Sequence, residues 1–322
     1  MGLSLATMNR LAAVAVLPIM LMAILVFSRP AQRERELPLP TGGTVVVANL
    51  RSETLTFHNL ATARADTLAL PGPPHELIEF NGRLYVTLGR ADLIAEVDPA
   101  GPGILRLLPL PGEPHGIAER AGSLLVTLDK ANAVVTIDPA TFTEVHREPT
   151  GDTPHVVATS SHGAFVTGSR DNTVRRLGTE PASAVTGGLP EGLALAGDRV
   201  VTADYLSGTL SVFDAKDLGL LGSIDVGAGP VRVVGLDDQR ALVATQGTPR
   251  LLVVDVAGLR IEEQLEVPAR PDGICLSPDG GHVGIASNAE GVVRIFATGS
   301  WRGAGAILAG DGPGACLWLP SR

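Results

Sequence analysis

The chain has 322 residues, of which 45% are hydrophobic and only 3% are aromatic, and it contains 38 glycines and 24 prolines. This hydrophobic share is enough for a large core, and so many glycines and prolines indicate frequent turns between short strands. A net charge of −9 excludes a basic surface for nucleic acid, and the few aromatic residues leave little for base stacking, so we expect no nucleic-acid partner.

The N-terminal segment, residues 1–28, contains the unbroken apolar run "LAAVAVLPIMLMAILVF" at residues 11–27. At about 1.5 Å per residue this run is roughly 25 Å long, which is enough for a short membrane span. No clean cleavage motif follows and Pro30 is poorly placed for cleavage, so we predict an uncleaved anchor in preference to a removed signal peptide.

Either alternative predicts export, with the protein held at the inner membrane in the periplasm or another extracytoplasmic space, or secreted if the signal is cleaved. The arginines that follow the run weaken the argument for this orientation, because positive charge usually stays on the cytoplasmic side. These arginines are Arg29, Arg33 and Arg35.

After a Pro-rich linker, residues 29–43, a repeated pattern fills residues 44–322. A proline opens each unit, at intervals of 36 to 42 residues. The opening prolines are Pro74, Pro114, Pro154, Pro190, Pro230, Pro271 and Pro313. Seven opening prolines indicate seven units, and a period of this length is typical of repeat architectures.

Each unit reads as four short strands. In the second unit we predict strands at residues 115–120, 123–128, 133–138 and 144–149, separated by turn sequences such as Asp138-Pro139. The second strand recurs at residues 83–88, 163–168, 240–245 and 282–287, and the third at 93–98, 209–214, 251–255 and 292–297. Four strands repeated seven times predict an all-β, seven-bladed propeller with four-stranded blades.

The two ends of the repeat region complement each other. Residues 44–71 supply three strands without a first one, and the last unit, "PGACLWLP", supplies a first strand only. We therefore predict that the N- and C-terminal strands share one blade, which closes the ring and removes exposed strand edges.

The segments "LYVTLGRADLIAEVDPA" (residues 84–100) and "LSPDGGHVGIASNAEGVVRIF" (residues 276–296) resemble the 40-residue YVTN-type β-propeller repeat proteins of bacteria and archaea. The likeness extends over residues 44–322 and implies the same fold. Such propellers serve as surface proteins and binding scaffolds and, in related families, as lactonases, streptogramin lyases and metal enzymes. The resemblance therefore does not fix the function.

The residue after each opening proline is expected at the mouth of the central channel, because the first strand of a blade begins beside the end of the second. These residues are His75, His115, His155, Glu191, Val231, Asp272 and Gly314. Loop residues are expected behind them, namely Arg90, Asp92, Asp129, Lys130, Arg170, Asp171, Asp204, Tyr205, Asn288 and Glu290.

We interpret His75, His115, His155, Glu191 and Asp272 as candidate ligand-binding residues. The three histidines and Glu191 are also the candidates for holding one divalent metal ion, because neutral imidazoles bind zinc, copper, iron or nickel. The alternative, which we favour, is that each histidine hydrogen-bonds the backbone of the next blade as part of the repeat.

Several other features are expected to be structural. The aspartates that end third strands are typical turn formers, and "SPDGG" at residues 277–281 is typical of a turn between first and second strands. These aspartates are Asp98, Asp138, Asp214 and Asp255. Cys275 and Cys316 lie four and three residues after their prolines, and because these unequal offsets suggest different facings, we expect no disulfide.

We therefore predict an exported, membrane-tethered, monomeric binding module or scaffold, with no assigned catalytic residue. Its channel-mouth face would bind a small molecule or a protein partner, as rigid repeats with many loops commonly do. The alternative is a metal-dependent lactonase or lyase of the SMP-30 or streptogramin lyase type, with its site at the same mouth.

Overall fold

The computed structural model describes residues 36–321, and this part of the chain forms twenty-eight strands in seven four-stranded antiparallel sheets. The prediction of an all-β, seven-bladed propeller is confirmed. The predicted anchor, residues 1–28, and residues 29–35 of the predicted linker lie outside the described residues. Within residues 36–321, no helix is long and apolar enough to cross a membrane.

The strands are numbered in chain order. The first three, β1 (Thr44–Asn49), β2 (Thr54–Asn59) and β3 (Arg64–Ala69), belong to blade 7. Blade 1 contains β4 (Leu77–Phe80), β5 (Arg83–Leu88), β6 (Leu93–Asp98) and β7 (Gly103–Pro109). Blade 2 contains β8 (Pro114–Arg120), β9 (Ser123–Leu128), β10 (Ala133–Asp138) and β11 (Thr143–Pro149). Blade 3 contains β12 (Pro154–Ser160), β13 (Gly163–Gly168), β14 (Thr173–Arg176) and β15 (Ala182–Val185).

The remaining blades follow the same plan. Blade 4 contains β16 (Pro190–Ala196), β17 (Arg199–Asp204), β18 (Thr209–Asp214) and β19 (Leu220–Asp225). Blade 5 contains β20 (Pro230–Gly235), β21 (Arg240–Thr245), β22 (Arg250–Asp255) and β23 (Arg260–Glu266). Blade 6 contains β24 (Pro271–Leu276), β25 (His282–Ser287), β26 (Val292–Ala297) and β27 (Gly303–Leu308). The last strand, β28 (Pro313–Leu319), returns to blade 7.

The blade built from both ends of the repeat region is confirmed. Its strand order is β28-β1-β2-β3, and β28 pairs antiparallel with β1, with Thr44 opposite Leu319 and Asn49 opposite Pro313. In the second unit, β9 and β10 have the predicted bounds, and β8 and β11 each begin one residue earlier than predicted. The period of the pattern therefore located the strands almost to the residue.

The core lies between blades, because the inner strands are buried on both faces. In β1, Val46 and Ala48 pack against blade 1, whereas Val45 and Val47 pack against blade 6. Alternating residues of one strand thus belong to two different inter-blade cores, as the two-residue period of a strand requires. The outermost strands are largely exposed, as in β11.

The turns have the structural role predicted for them. Each aspartate that ends a third strand accepts a hydrogen bond from the backbone N–H two residues further on. These are Asp98, Asp138, Asp214 and Asp255. In the turn between β24 and β25, Asp279 accepts hydrogen bonds from the Ser277 hydroxyl and the Gly281 N–H.

Cys275 and Cys316 form a disulfide, with their Cα atoms 5.4 Å apart, so the expectation of unpaired cysteines was wrong. Side chains at equal positions of adjacent blades face the same way around the ring. Side chains of two adjacent blades therefore face each other across the space between the blades only when their positions, counted from the opening prolines, differ by an odd number. Offsets of four and three residues meet this condition, and both cysteines lie in the core between blades 6 and 7.

Candidate functional site

A cavity of about 180 Å³ lies at the mouth of the channel, and we call it the cup. All seven residues that follow the opening prolines line it, so their predicted placement is confirmed. Its lining comprises Leu50, Pro74, His75, Glu76, His115, His155, Glu191, Val231, Arg232, Asp272, Gly314 and Ala315. Whether they bind a ligand there stays a prediction.

The first strand of several blades has a β-bulge near its start. Because of this bulge, the residue two positions after the opening proline also contributes to the contacts between blades. At the position two after the proline, a side chain is directed at the next blade. A Cβ added to Gly116 would lie 2.6 Å from the His155 carbonyl oxygen, and one added to Gly273 would lie 2.1 Å from the Gly314 carbonyl oxygen. Small residues therefore fit best there, and three of the seven blades have glycine, at Gly116, Gly192 and Gly273. Glu76 and Arg232 are long charged exceptions.

Arg232 of blade 5 lines the cup and reaches Glu76 of blade 1. Its Nη1 lies 2.6 Å from Glu76 Oε1 of blade 1, and its Nη2 lies 3.3 Å from Asp272 Oδ1 of the adjacent blade 6. Burial alone would lower the pKa of Arg232, but the two carboxylates raise it, so the guanidinium stays charged. These two ion pairs join blades 1, 5 and 6 at the cup.

The backbone of two of the histidines, His115 and His155, is held by the preceding blade. The Thr87 hydroxyl donates to the His115 carbonyl oxygen at 2.7 Å, and the Thr127 hydroxyl donates to the His155 carbonyl oxygen at 2.8 Å. Both threonines follow a buried valine in the second strand of their blade. In each Val-Thr pair the valine is buried in the core, and the threonine hydroxyl fixes the backbone of the first strand in the next blade.

The three histidine rings lie side by side, with His115 and His155 stacked and His75 tilted by 47° against His115. Ring centroids lie 4.7 Å apart for His75 and His115, and 3.9 Å apart for His115 and His155. His115 Nδ1 lies 3.2 Å from the His155 carbonyl oxygen. A carbonyl only accepts hydrogen bonds, so this nitrogen carries the proton and Nε2 keeps the lone pair of the neutral ring. The backbone-bonding alternative thus describes His115.

His75 and His115 are neutral near pH 7. Burial lowers the pKa of His75, and the carboxylates of Glu76 and Asp129 oppose this only in part. Burial also lowers the pKa of His115, well below its usual range, and the positive charge of His155 adds to the effect. The absent side chain of Gly89 leaves room for His75, since a Cβ there would lie 3.1 Å from the His75 ring.

His155 differs because it lies between two carboxylates. Its Nε2 is 2.9 Å from Glu191 Oε2 and its Nδ1 is 3.6 Å from Asp129 Oδ2. Burial alone would lower the pKa of His155, but the two carboxylates raise it to about 9. Burial likewise opposes ionisation of Glu191, yet the bond to His155 lowers the pKa of this carboxyl. His155 is therefore a cation at neutral pH.

Glu76 and Arg232 were missed by the sequence reasoning, which considered only the first residue after each proline. The signal was present, since two opposite charges stand where other units have a small or apolar residue. Among the loop residues expected behind the ring, Asp129 contacts a ring histidine. Other residues of this set hydrogen-bond the loop backbone. Asp92, for example, accepts hydrogen bonds from the N–H groups of Gly112 and Glu113.

One group of potential metal ligands occurs among residues 36–321. Ligand atoms of His115, Asp129 and His155 lie within 4.8 Å of one another. Two members were predicted candidates for a metal ion, whereas His75 and Glu191 are not part of this group. Glu191 instead bonds the far nitrogen of His155.

A larger cleft of about 510 Å³ lies between blades 4 and 5, where it is lined by turn residues such as Asp198, Asp214 and Asp238. It is open to solvent, and its aspartates include the turn-forming Asp214. The cup is the better candidate because its charged side chains are half-buried and paired with one another.

No protein-family model and no curated protein sequence matches the chain. Solved structures do share its fold. A functionally unknown protein from Desulfotomaculum acetoxidans has a TM-score of 0.72 and 12% identity, over 87% of this chain and 100% of that one. Kuenenia stuttgartiensis hydrazine synthase has a TM-score of 0.70 and 14% identity, over 77% and 90%. Virginiamycin B lyase from Staphylococcus aureus has a TM-score of 0.66 and 17% identity, over 79% and 95%. At these identities the likeness concerns the fold alone.

Proposed function

We propose that the protein is a binding module that holds a small, positively charged ligand in the cup. The observation that carries this proposal is the charge of the site. Three lining carboxylates, Glu76, Glu191 and Asp272, and the adjacent Asp129 stand against two cations, Arg232 and His155. A bound cation offsets the excess negative charge of the cup, where water screens the interaction between charges only weakly.

The size of the cup limits the ligand. A volume of about 180 Å³ has room for a small molecule of roughly the size of benzene. Two cations of the loops behind the cup, Arg90 and Lys130, are exposed, so solvent and salt screen their charges.

The binding proposal is tested by thermal melting of the full-length protein. Methylammonium, ethanolamine, putrescine, Zn²⁺ and Co²⁺ serve as cationic probes, and acetate and phosphate as anionic ones. A ligand that binds the folded state alone raises the melting temperature. We expect at least one cation to do so in the wild type and to lose most of this effect in Glu191→Gln.

Asp198→Asn is the matched control, because Asp198 also pairs with a histidine, His162, at 3.1 Å, but is 84% exposed and outside the cup. This variant should respond like the wild type. Stabilisation by an anion that depends on Glu191, or the failure of every cationic probe, would overturn the proposal.

We further propose that the module works outside the cytoplasm, tethered through residues 11–27. The disulfide between Cys275 and Cys316 supports this location, since disulfides form and persist in oxidising compartments. A reporter that is active only in the periplasm, fused after Arg322, should be active in the full-length protein. It should become inactive when residues 11–27 are removed. Activity of a cytoplasmic reporter alone would contradict export.

A lyase or lactonase is the second candidate function. The observation that favours it is the pair of neutral imidazoles, His75 and His115, beside half-buried carboxylates, since a general base needs an unprotonated nitrogen. This function predicts turnover of a streptogramin B or a simple lactone that is lost on adding a chelator. Binding without turnover favours the module.

A further inference from the structure

We propose that His115, Asp129 and His155 bind one divalent transition-metal ion at the edge of the cup, and that this ion is the cationic ligand of the site. The inference rests on the proposed function and deepens it, because it names the class of cation. Ligand atoms of these three residues lie within 4.8 Å of one another, although the residues come from two blades and from two different positions of the repeat.

The hydrogen bonds around both histidines are those of metal ligands. A metal-binding histidine usually donates its other ring N–H to a carboxylate or a backbone carbonyl, which fixes the ring and its tautomer. His115 does this through Nδ1 to the His155 carbonyl oxygen, and His155 does it through Nε2 to Glu191. Nε2 of His115 and Nδ1 of His155 are then the nitrogens left for an ion.

The distance between Nδ1 of His155 and Oδ2 of Asp129 fits two ligands of one metal ion better than it fits a hydrogen bond. Nδ1 of His155 and Oδ2 of Asp129 are 3.6 Å apart, which exceeds the range of a normal hydrogen bond. Two ligands that each lie about 2.0–2.1 Å from a tetrahedral zinc ion are about 3.4 Å apart. The His115 and His155 rings are stacked with their centroids 3.9 Å apart, so one ring must turn before both nitrogens face the same ion.

The second carboxylate oxygen of Asp129 is an independent observation. Oδ1 is buried and has no hydrogen-bond partner within the described residues. A buried polar oxygen without a partner is unfavourable, and a metal ion that contacts Oδ1 as well as Oδ2 of the carboxylate relieves this cost. Binding of the ion displaces the Nδ1 proton of His155 to solvent, and the ion takes over the positive charge that Asp129 and Glu191 hold at this ring.

The ligand set indicates the kind of metal. Two imidazoles and one carboxylate suit zinc, copper, cobalt or nickel, whereas magnesium and calcium prefer oxygen ligands only. Three protein ligands leave a fourth position of a tetrahedral ion open. At the edge of the cup, this position is available to water or to a small molecule in the cavity.

The test uses full-length protein that has been freed of metal with a chelator. Titration with Zn²⁺ by calorimetry should give one ion per chain, and Co²⁺ should give the visible absorption of a four-coordinate site. His115→Gln and Asp129→Asn should weaken Zn²⁺ binding by at least the 10- to 100-fold that loss of an outer-shell partner costs. Glu191→Gln, which removes such a partner, should weaken it by about 10- to 100-fold.

The control is His146→Gln, since His146 is an exposed histidine of the outer strand β11. It should bind Zn²⁺ as the wild type does. Melting curves without metal check that each variant folds, and the near-isosteric Asp129→Asn decides the question if His115→Gln does not fold. Unchanged Zn²⁺ affinity in Asp129→Asn, or the absence of one-to-one binding, would overturn the inference.

This outcome is distinguishable from failure of the proposed function. If an organic cation stabilises the chelated protein through Glu191 while Zn²⁺ does not bind, the metal inference alone fails. If neither metal nor organic cation binds in the cup, both fail.

Discussion

Asp204 of blade 4 and Asn49 of blade 7 occupy the same position of the repeat, since each pairs with the opening proline of its own blade. Asn49 donates to the hydroxyls of Thr54 and Thr56, and Asp204 accepts from those of Thr209 and Ser211 at the equivalent positions. The same pocket therefore accepts an amide in one blade and a carboxylate in the other.

Asp204→Asn is expected to stabilise the protein at neutral pH. Burial raises the pKa of Asp204 above its ordinary value, although hydrogen bonds from Ser211 and Thr202 oppose this. Because the folded-state pKa is raised, the stabilising contribution of this group is present at pH values below the unfolded pKa of 3.8. It is lost as the pH rises through the folded pKa. The asparagine avoids this loss.

Melting temperatures measured between pH 4 and pH 8 check this prediction. At pH 7 the variant should melt roughly 2–4 °C higher, the shift that about 1 kcal/mol produces in a domain of this size. The difference should shrink toward pH 4. Asp204→Ala is the comparison, and it should lose about 1–3 kcal/mol because buried hydroxyls lose their partner. A lower melting temperature of Asp204→Asn at pH 7 would contradict the argument.

At the scale of the residue, the sequence was informative where a position repeats. The residues after the opening prolines were placed correctly because every unit supplies one. Glu76 and Arg232 were not found, because their importance depends on a bulge that directs the following side chain at the next blade. The contact between Asp129 and His155 joins two blades, and no pattern within one unit encodes that distance.

At the scale of the element, the first strands β24 and β28 show what counting along a single strand leaves out. The repeat pattern gave the offsets of Cys275 and Cys316 correctly, but offsets of different parity were interpreted as pointing the side chains apart. In a ring of similar blades, different parity brings two side chains together. The error concerned the relation between strands, which becomes visible only when two blades are considered as a pair.

The disulfide joins β24 to β28 across a separation of 41 residues. Closing a loop of this length stabilises a protein by about 2–4 kcal/mol, mainly by restricting the unfolded chain. We expect the double variant Cys275→Ala/Cys316→Ala to lose this amount in chemical denaturation. A reductant should lower the stability of the wild type to a similar value and leave the variant unchanged. Equal stability of the oxidised wild type and the variant would show that the bond contributes nothing.

At the scale of the whole molecule, the ring was predicted from the period and from the complementary ends of the repeat region. Seven units with the same strand pattern determine the number of blades, and the missing first strand at one end matches the extra one at the other. What these patterns do not contain is the chemistry of the mouth, because side chains from seven blades meet there without any local sequence relation.

Deleting residues 313–322 should remove the strand that completes blade 7 and leave β1 as an exposed edge. We expect the truncated protein to aggregate and to lose its cooperative melting transition, because an unpaired hydrophobic edge invites association. Deleting residues 320–322 is the control, since it spares β28. Cooperative melting of the longer deletion at the wild-type temperature would show that the ring does not depend on β28.

Closure through β28 also sets the order of events during biosynthesis. The N–H of Gly43 bonds the hydroxyl of Ser321, 278 residues later in the chain, so β1 waits for its partner while almost the whole domain is made. At ordinary rates of translation this delay is roughly 10–60 s. The ring then closes after every other blade has been synthesised. The ion pair between blades 1 and 5 spans the same ring, and Gly314 and Ala315 of β28 help to line the cup, so the cup is complete only when the last strand is in place.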